Sequence, residues 1–345
     1  MEAYRLHELL ALADDETRAL WHDLRLAYTE SAGHPLLRAE IARTYETMAP
    51  DETLLFAGAE EAIFTLANVL LDRGEHAVVT WPAYQSLHEV ARAAGAEVDL
   101  LPLDPARGWA LDLDALQRLL RPTTRLIVAN FPHNPTGALP DRETFEALVA
   151  MARFSGCWLL SDEVYRGLEY RDADRLPAAC DLYEHAVSLG VMSKAYALPG
   201  LRTGWIATHD PEVRRRAATF KDYTTICNAA PSEILALIAL RARERVLTRS
   251  RAIVTTNLAH LDHFFRQWDG AFSWVRPRAG SVAFPRLTND VPIDDFAAGL
   301  VEREGVLLLP GTQFGYPGNY FRLGFGRADL PAALAALARY CQTLA

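Results

Sequence analysis

Lys194 is the residue whose position most strongly suggests chemistry. It follows Ser193 and stands eight residues before Arg202, in the Gly- and Pro-containing stretch SLGVMSKAYALPGLRTGW. A lysine amine can attack an aldehyde, and the planar guanidinium of an arginine can hold an anion through two hydrogen bonds. The stretch therefore predicts a site for a ligand with an aldehyde and an anionic group. For a lysine taken alone, a surface position before a Gly/Pro turn is the commoner situation.

Composition excludes several classes of protein. With 345 residues, half of them hydrophobic, the chain is long enough for two domains. Its formal net charge of -9 argues against nucleic acid as the main partner. The four cysteines form no CxxC motif, so we expect neither a metal site nor disulfides, and a cytoplasmic location fits best. The N-terminal residues lack the features of a signal peptide, and no run of about 18 apolar residues could span a membrane.

Short apolar runs alternate with helical segments in the first half of the chain. The runs are AVVTWPAY, VDLLPL, RLIVAN and CWLLSD, and helical patterns lie at Gln85 to Ala94, Leu113 to Leu120 and Arg142 to Phe154. This alternation predicts a mainly parallel sheet with helices on both faces. Ligands collect at the carboxyl ends of such strands, where the sequence places Tyr84, Asn134, Asp162 and Tyr165.

The segment TLLFAGAEEA, from Thr53, predicts a strand, a tight turn at Gly58 and a helix. The turn would direct several backbone N–H groups at one point, which is an anion site in its simplest form. For this motif alone, an ordinary helix start in which Glu60 and Glu61 complement the helix dipole is the commoner situation.

The rest of the chain predicts a second, smaller unit. Helical patterns run from Leu6 to Leu26, from about Pro35 to Tyr45 and, as a connector, from Pro231 to Trp268. The last part contains SVAFPRL, GVLLLPG and NYFRLGFG as strands and a closing helix from Leu330 to Leu344, an α+β pattern. We expect a large domain at residues 46–245 and a smaller domain made of residues 1–45 and 246–345.

Five motifs together resemble those of the class I/II (fold type I) pyridoxal-phosphate-dependent aminotransferases. GAEEA, FPHNPTG, SDEVY, SKAYALPGLRTGW and YFRLGFG occur in the order and at the spacings of that family, and the resemblance runs from about Tyr28 to the C-terminus. It implies an α/β fold with a large cofactor-binding domain, built on a mainly parallel seven-stranded sheet between helices, and a smaller α+β domain. It also implies pyridoxal 5'-phosphate as cofactor, with an amino acid and a 2-oxo acid as substrates.

The resemblance implies roles for the residues at the strand ends. Lys194 would form the Schiff base with the cofactor and, once released, would shuttle a proton. Asp162 would keep the pyridine nitrogen protonated, so that the ring accepts electrons. Asn134 and Tyr165 would donate hydrogen bonds to the ring oxygen O3′, and Tyr84 would stack on the ring face.

The resemblance also implies how the phosphate is held. The backbone N–H groups of Ala59 and Glu60, the hydroxyl of Ser193 and the guanidinium of Arg202 would bind it. Tyr28 resembles the tyrosine that reaches the phosphate from a neighbouring subunit. A homodimer with shared active sites is therefore expected.

Arg322, in YFRLGFG, would hold the substrate α-carboxylate, with Asn134 also at the substrate. Two departures from the family pattern stand out. Val191 occupies the position, three before Lys194, where many members have a phosphate-binding serine. Little chain precedes the helix that begins near Leu6, where the family usually has a longer arm over the substrate. The resemblance therefore leaves open how the substrate is closed in, but not how the cofactor is bound.

Fold and cofactor leave the reaction open. Transamination between an L-amino acid and a 2-oxo acid is the predicted activity, and no second arginine is placed for a dicarboxylic substrate. One alternative is a C-S lyase or synthase. Another is a capreomycidine-synthase-like or arginine-oxidising enzyme, a subgroup that the run FKDYTTICNAAPSE, from Phe220 to Glu233, resembles. A gene regulator on this fold would need a DNA-binding domain, and the residues before Tyr28 contain no helix-turn-helix of sufficient length. A nicotinamide enzyme would need GxGxxG after the first strand, and FAGAEEA does not supply it.

Overall fold

A seven-stranded sheet forms the centre of the computed structural model, which describes residues 1–343. Its strands are β1 (Thr53–Phe56), β2 (His76–Trp81), β3 (Glu97–Pro102), β4 (Thr124–Asn130), β5 (Trp158–Asp162), β6 (Ala186–Val191) and β7 (Gly204–Ala207). They lie in the order β1-β7-β6-β5-β4-β2-β3. The pairs from β6 to β3 are parallel, and β7 is antiparallel to both its neighbours. The predicted mainly parallel seven-stranded sheet is confirmed.

Thirteen helices lie in the described residues. They are α1 (Leu6–Leu10), α2 (Asp15–His22), α3 (Pro35–Ala42), α4 (Ala59–Leu70), α5 (Ser86–Ala93), α6 (Leu113–Leu119), α7 (Arg142–Phe154), α8 (Ala179–Leu182), α9 (Pro211–Lys221), α10 (Ala230–Arg241), α11 (Arg243–Gln267), α12 (Ile293–Glu304) and α13 (Leu330–Gln342). Five further short strands are β8 (Phe272–Ser273), β9 (Val282–Ala283), β10 (Arg286–Leu287), β11 (Leu309–Pro310) and β12 (Phe321–Gly324).

Both faces of the large sheet are buried because successive side chains of its strands point to opposite sides. In β4, Leu126 and Val128 belong to one hydrophobic cluster, which also contains residues of α4 and α10. Ile127 and Ala129 belong to a second cluster, which contains residues of α6 and α7. The apolar runs that form β2, β4 and β5 are therefore central strands covered by helices, whereas VDLLPL forms the edge strand β3.

The C-terminal part has its own apolar core. Residues of α11, α12 and α13 pack there against the small sheet β11-β12-β9 and the pair β10-β8. This arrangement matches the α+β pattern expected of the smaller unit. The helices α1, α2 and α3 all contact α10, and α3 also contacts β1. The assignment of residues 1–45 to the smaller domain stays a prediction.

Two predicted helices are interrupted. The pattern from Leu6 to Leu26 forms α1 and α2 instead of one helix, because the Asp14 side chain accepts a hydrogen bond from the Thr17 N–H and starts a new helix there. The run from Pro231 to Trp268 is divided at Ala242 into α10 and α11. The closing helix ends at Gln342, and Leu344, its expected last residue, lies outside the described residues.

None of the helices described for residues 1–343 combines the length and the apolar composition that crossing a membrane requires.

Candidate active site

A cleft of about 310 Å³ opens at the carboxyl ends of β4 and β5. Ten of the eleven residues assigned from the sequence line it: Ala59, Glu60, Tyr84, Asn134, Asp162, Tyr165, Ser193, Lys194, Arg202 and Arg322. Four apolar residues to which the sequence assigned no role complete the lining: Ile63, Val164, Val191 and Pro199. The structure thus brings together side chains from segments more than 200 residues apart in the chain.

One end of the cleft is built for an anion. The helix α4 starts after Gly58, whose φ of 88° favours glycine, and no side chain caps the helix start. A Cβ atom on Gly58 would lie 2.6 Å from Nη2 of Arg202, so the guanidinium packs directly on the turn. A Cβ atom on Gly204 would lie 2.6 Å from the Gly58 carbonyl carbon, so β7 also approaches the turn closely. N–H groups and a guanidinium therefore converge at one place.

A buried carboxylate lies deep in the cleft. Asp162, at the end of β5, is only 4% exposed, and its Oδ1 accepts a hydrogen bond of 3.2 Å from the Val164 N–H. Burial raises the pKa of the Asp162 carboxyl to about 7, against the opposing effects of that N–H and of the nearby Lys194. A cationic N–H group on a ligand would compensate this charge.

Lys194 is one of only two lysines in the whole sequence. Its Nζ lies 5.8 Å from the centroid of the Tyr165 ring, inside the cleft. The other lysine, Lys221, is fully buried elsewhere and donates to the carbonyl of Ser31 at 2.6 Å and to Oδ1 of Asn228 at 3.1 Å. Lys194 is consequently the only lysine of this chain that can meet a ligand in the cleft.

A hydrogen-bonded chain fixes the loop after β4. Arg322 donates from Nη1 to Oδ1 of Asn134 at 3.1 Å, and the Asn134 N–H donates to Oδ1 of Asn130 at 2.8 Å. The Asn130 side chain in turn donates to the backbone carbonyl of Asp162 at 2.9 Å. Asn130 was missed from the sequence, although a polar residue that ends a buried strand is a usable signal.

Tyr28 is the one assigned residue outside the cleft. It is 88% exposed and borders a different groove, with His34 and Glu233. Within a single chain it cannot contact a ligand in the cleft, so its assigned role requires a second subunit and stays a prediction.

Comparisons with known proteins agree with this architecture. The family model of aminotransferase class I and II matches residues 3–337. Capreomycidine synthase from Streptomyces vinaceus is 33% identical over 309 residues, which are 89% of this chain and 79% of that protein. A probable aspartate/prephenate aminotransferase from Thermus aquaticus is 29% identical over 333 residues, 91% of this chain and 84% of that one.

Among solved structures, a PLP-dependent aminotransferase from Streptococcus suis superposes with a TM-score of 0.93 at 33% identity, covering 99% of this chain and 91% of the other. The fold and the cleft define a fold type I transferase. The chain belongs to the aminotransferase class I and II family, whose cofactor is pyridoxal 5'-phosphate.

The residues present fit that cofactor. The uncapped start of α4 and Arg202 offer donors for a phosphate, and the glycine at position 58 leaves the space that a Cβ would fill. Asp162 offers a buried negative charge for a protonated ring nitrogen. Lys194 offers the amine for an aldehyde.

Replacing Gly58 by alanine tests the anion end. The new methyl group would displace the Arg202 guanidinium, so we expect Gly58→Ala to weaken pyridoxal phosphate binding by about tenfold or more. Gly74→Ala is the matched control, because Gly74 has a similar φ of 84° and open space around it. Titration of the two cofactor-free variants with pyridoxal phosphate should separate them, and equal affinities would contradict the assignment.

Asp162→Asn tests the buried carboxylate in the cofactor-free protein. The pKa of the Asp162 carboxyl is about 7 in the folded protein, above its value in the unfolded protein, so the folded protein binds the carboxyl proton more tightly. The stabilisation that the bound proton gives is lost as the pH rises from about 4 to 7. The variant lacks this titration. The free energy of unfolding of the variant, minus that of the wild type, should therefore increase by on the order of 1 to 4 kcal/mol across that interval. Denaturant titrations at several pH values measure the difference, and a pH-independent difference would show that Asp162 is already ionised at pH 4.

Proposed function

We propose that the protein is a pyridoxal-phosphate-dependent aminotransferase that moves an amino group between an L-amino acid and a 2-oxo acid. The observation that carries the proposal is the position of Lys194, the one lysine in a cleft that also contains the buried Asp162 carboxylate and the anion-binding start of α4. Membership of the aminotransferase family supports it.

Each cleft residue then has a task that its position supports. When bound, pyridoxal phosphate supplies an aldehyde that accepts an amino group and a ring that withdraws electrons from Cα. Lys194 would hold the aldehyde group through Nζ and would move a proton at Cα. Asp162 would hold the proton on the ring nitrogen, and Tyr84 would pack on the ring face.

The remaining polar residues bind and orient. Arg202, Ser193 and the N–H groups of Ala59 and Glu60 hold the phosphate. Tyr165 and Asn134 donate to the ring oxygen. Arg322 is held by Asn134 in a position where its two-pronged guanidinium can grip the substrate carboxylate and fix the direction of the Cα–H bond.

A homodimer with shared sites is part of the proposal. Tyr28 is almost fully exposed next to Leu26, which is 86% exposed, and Tyr223 is also 87% exposed. Exposed large apolar side chains of this kind are typical of a surface that another subunit covers. In a dimer Tyr28 would extend from this surface to the partner's phosphate. The cytoplasmic location stays a prediction.

A second candidate is a synthase or lyase reaction on the same cofactor. It is favoured by the 33% identity with capreomycidine synthase over 89% of this chain, which is higher than the identity with the Thermus aquaticus aminotransferase. The residues that hold the cofactor and start proton removal at Cα would be the same. The two candidates differ in where the proton or leaving group goes afterwards.

A panel of L-amino acids tests the choice. Purified protein loaded with cofactor is mixed with each amino acid, with and without a 2-oxo acid, and the products are measured. An aminotransferase forms the new 2-oxo acid and the new amino acid in equal amounts. Release of ammonia or sulfide, formation of a cyclic product, or oxygen uptake without an acceptor would replace the proposal by the corresponding alternative.

Arg322→Lys tests the carboxylate clamp. Lysine keeps the charge but loses the two-pronged geometry, so KM for the amino acid should rise and kcat/KM should fall by an amount equivalent to roughly 1 to 3 kcal/mol. The control is Arg327→Lys, because Arg327 pairs with Asp329 outside the cleft. Steady-state kinetics on the best substrate of the panel compares the variants. Unchanged kinetics in Arg322→Lys would assign the carboxylate to another residue.

A further inference from the structure

Glu60 is a charged residue of the cleft that the proposed chemistry leaves without a side-chain role. It lies in the first turn of α4, where an acidic residue normally complements the helix dipole. That task already belongs to Glu61. Oε2 of Glu61 accepts a hydrogen bond from the Ala57 N–H, and its Oε1 accepts hydrogen bonds from the hydroxyls of Thr224 and Thr225.

The Glu60 carboxylate turns instead toward the cleft. It accepts a hydrogen bond from the hydroxyl of Ser86, the first residue of α5, and it lines the cleft with Tyr84 and Arg322. Burial raises the pKa of the Tyr84 hydroxyl, with Glu60 adding to the effect and Arg322 opposing it, so Tyr84 lies within the influence of both charges. Throughout residues 1–343, no arginine, lysine or histidine forms an ion pair with Glu60.

Once the cofactor and the backbone groups of a substrate are assigned to cleft residues, one charged residue of the cleft has no assigned partner. Arg202 faces the phosphate, Arg322 the α-carboxylate, and Asp162 the protonated ring nitrogen. Lys194 takes the aldehyde. Of these cleft groups, Glu60 alone remains without a partner of opposite charge. Glu60 is exposed at the edge of the cleft, where its carboxylate can still attract a cation.

We propose that Glu60 determines substrate specificity by binding a cationic side-chain group, an ammonium or a guanidinium, of the substrate amino acid. The inference rests on the proposed function, because it takes the substrate carboxylate to lie at Arg322. The same carboxylate repels an acidic side chain, so aspartate-like substrates are rejected. Ser86 is a positioning residue, since its hydroxyl holds the Glu60 carboxylate on the cleft side of α4.

Binding of compounds that lack the α-amino group tests this without turnover. The pair is 5-guanidinopentanoate and 5-ureidopentanoate, which have nearly the same shape but differ in charge. The cofactor-loaded wild type should bind the guanidino compound roughly 2- to 5-fold more tightly by calorimetry, the range expected for an ion pair with an exposed carboxylate. In Glu60→Gln the preference should fall to about onefold. The affinity for the ureido compound should change little.

Glu89→Gln is the matched control. It removes the same charge from another exposed glutamate, on nearby α5, but Glu89 pairs with Arg92 and does not line the cleft. This variant should keep the wild-type preference. A wild type that binds the two compounds equally, or a preference that survives in Glu60→Gln, would overturn the inference.

The two proposals fail in different ways. If the panel shows an elimination or cyclisation instead of amino-group transfer while the guanidino preference still depends on Glu60, the proposed reaction is wrong and the specificity assignment stands. If amino-group transfer occurs but the preference is absent, only the role of Glu60 is wrong.

Discussion

The buried carboxylate of Asp162 is the constraint on which the rest of the cleft depends. An ionised carboxylate away from water is costly unless a cation or several hydrogen bonds compensate it. Here one N–H donor and the nearby Lys194 oppose the effect of burial, and the pKa of the carboxyl still rises to about 7. A ligand with a protonated ring nitrogen would relieve this cost, because its positive charge would stabilise the ionised form of the Asp162 carboxylate.

Much of the sheet and of the site could be predicted from the sequence because parallel strands end at one edge. Asn134 and Asp162 each follow an apolar run, and pairing of β4 with β5 places Asn130 beside Asp162. The ends of the apolar runs are therefore enough to locate Asn134 and Asp162 from the sequence alone. The break between α1 and α2 could also have been predicted, since Asp14 with Thr17 is a capping pair. The apolar residues keep a helical period across the break, which favoured the prediction of one continuous helix.

Other features depend on packing between distant segments, and local patterns carry no signal for them. The contact of Arg202 with Gly58 joins residues 144 positions apart. The direction of Glu60 depends on Ser86 at the start of α5, whereas the adjacent Glu61 turns back to the Ala57 N–H that precedes its own helix. Two neighbouring glutamates looked equivalent in the sequence, and only the structure separates the one that binds the preceding turn from the one that lines the cleft.

The most direct measurement of the central claim uses the scarcity of lysine in this chain. Borohydride reduction of the cofactor-loaded protein, followed by peptide mass spectrometry, fixes the cofactor covalently wherever an imine exists. The account predicts pyridoxyl label on the peptide that contains Lys194 and none on the peptide that contains Lys221, which is buried and engaged by Ser31 and Asn228. Label on Lys221, or a protein that takes up no label, would contradict it.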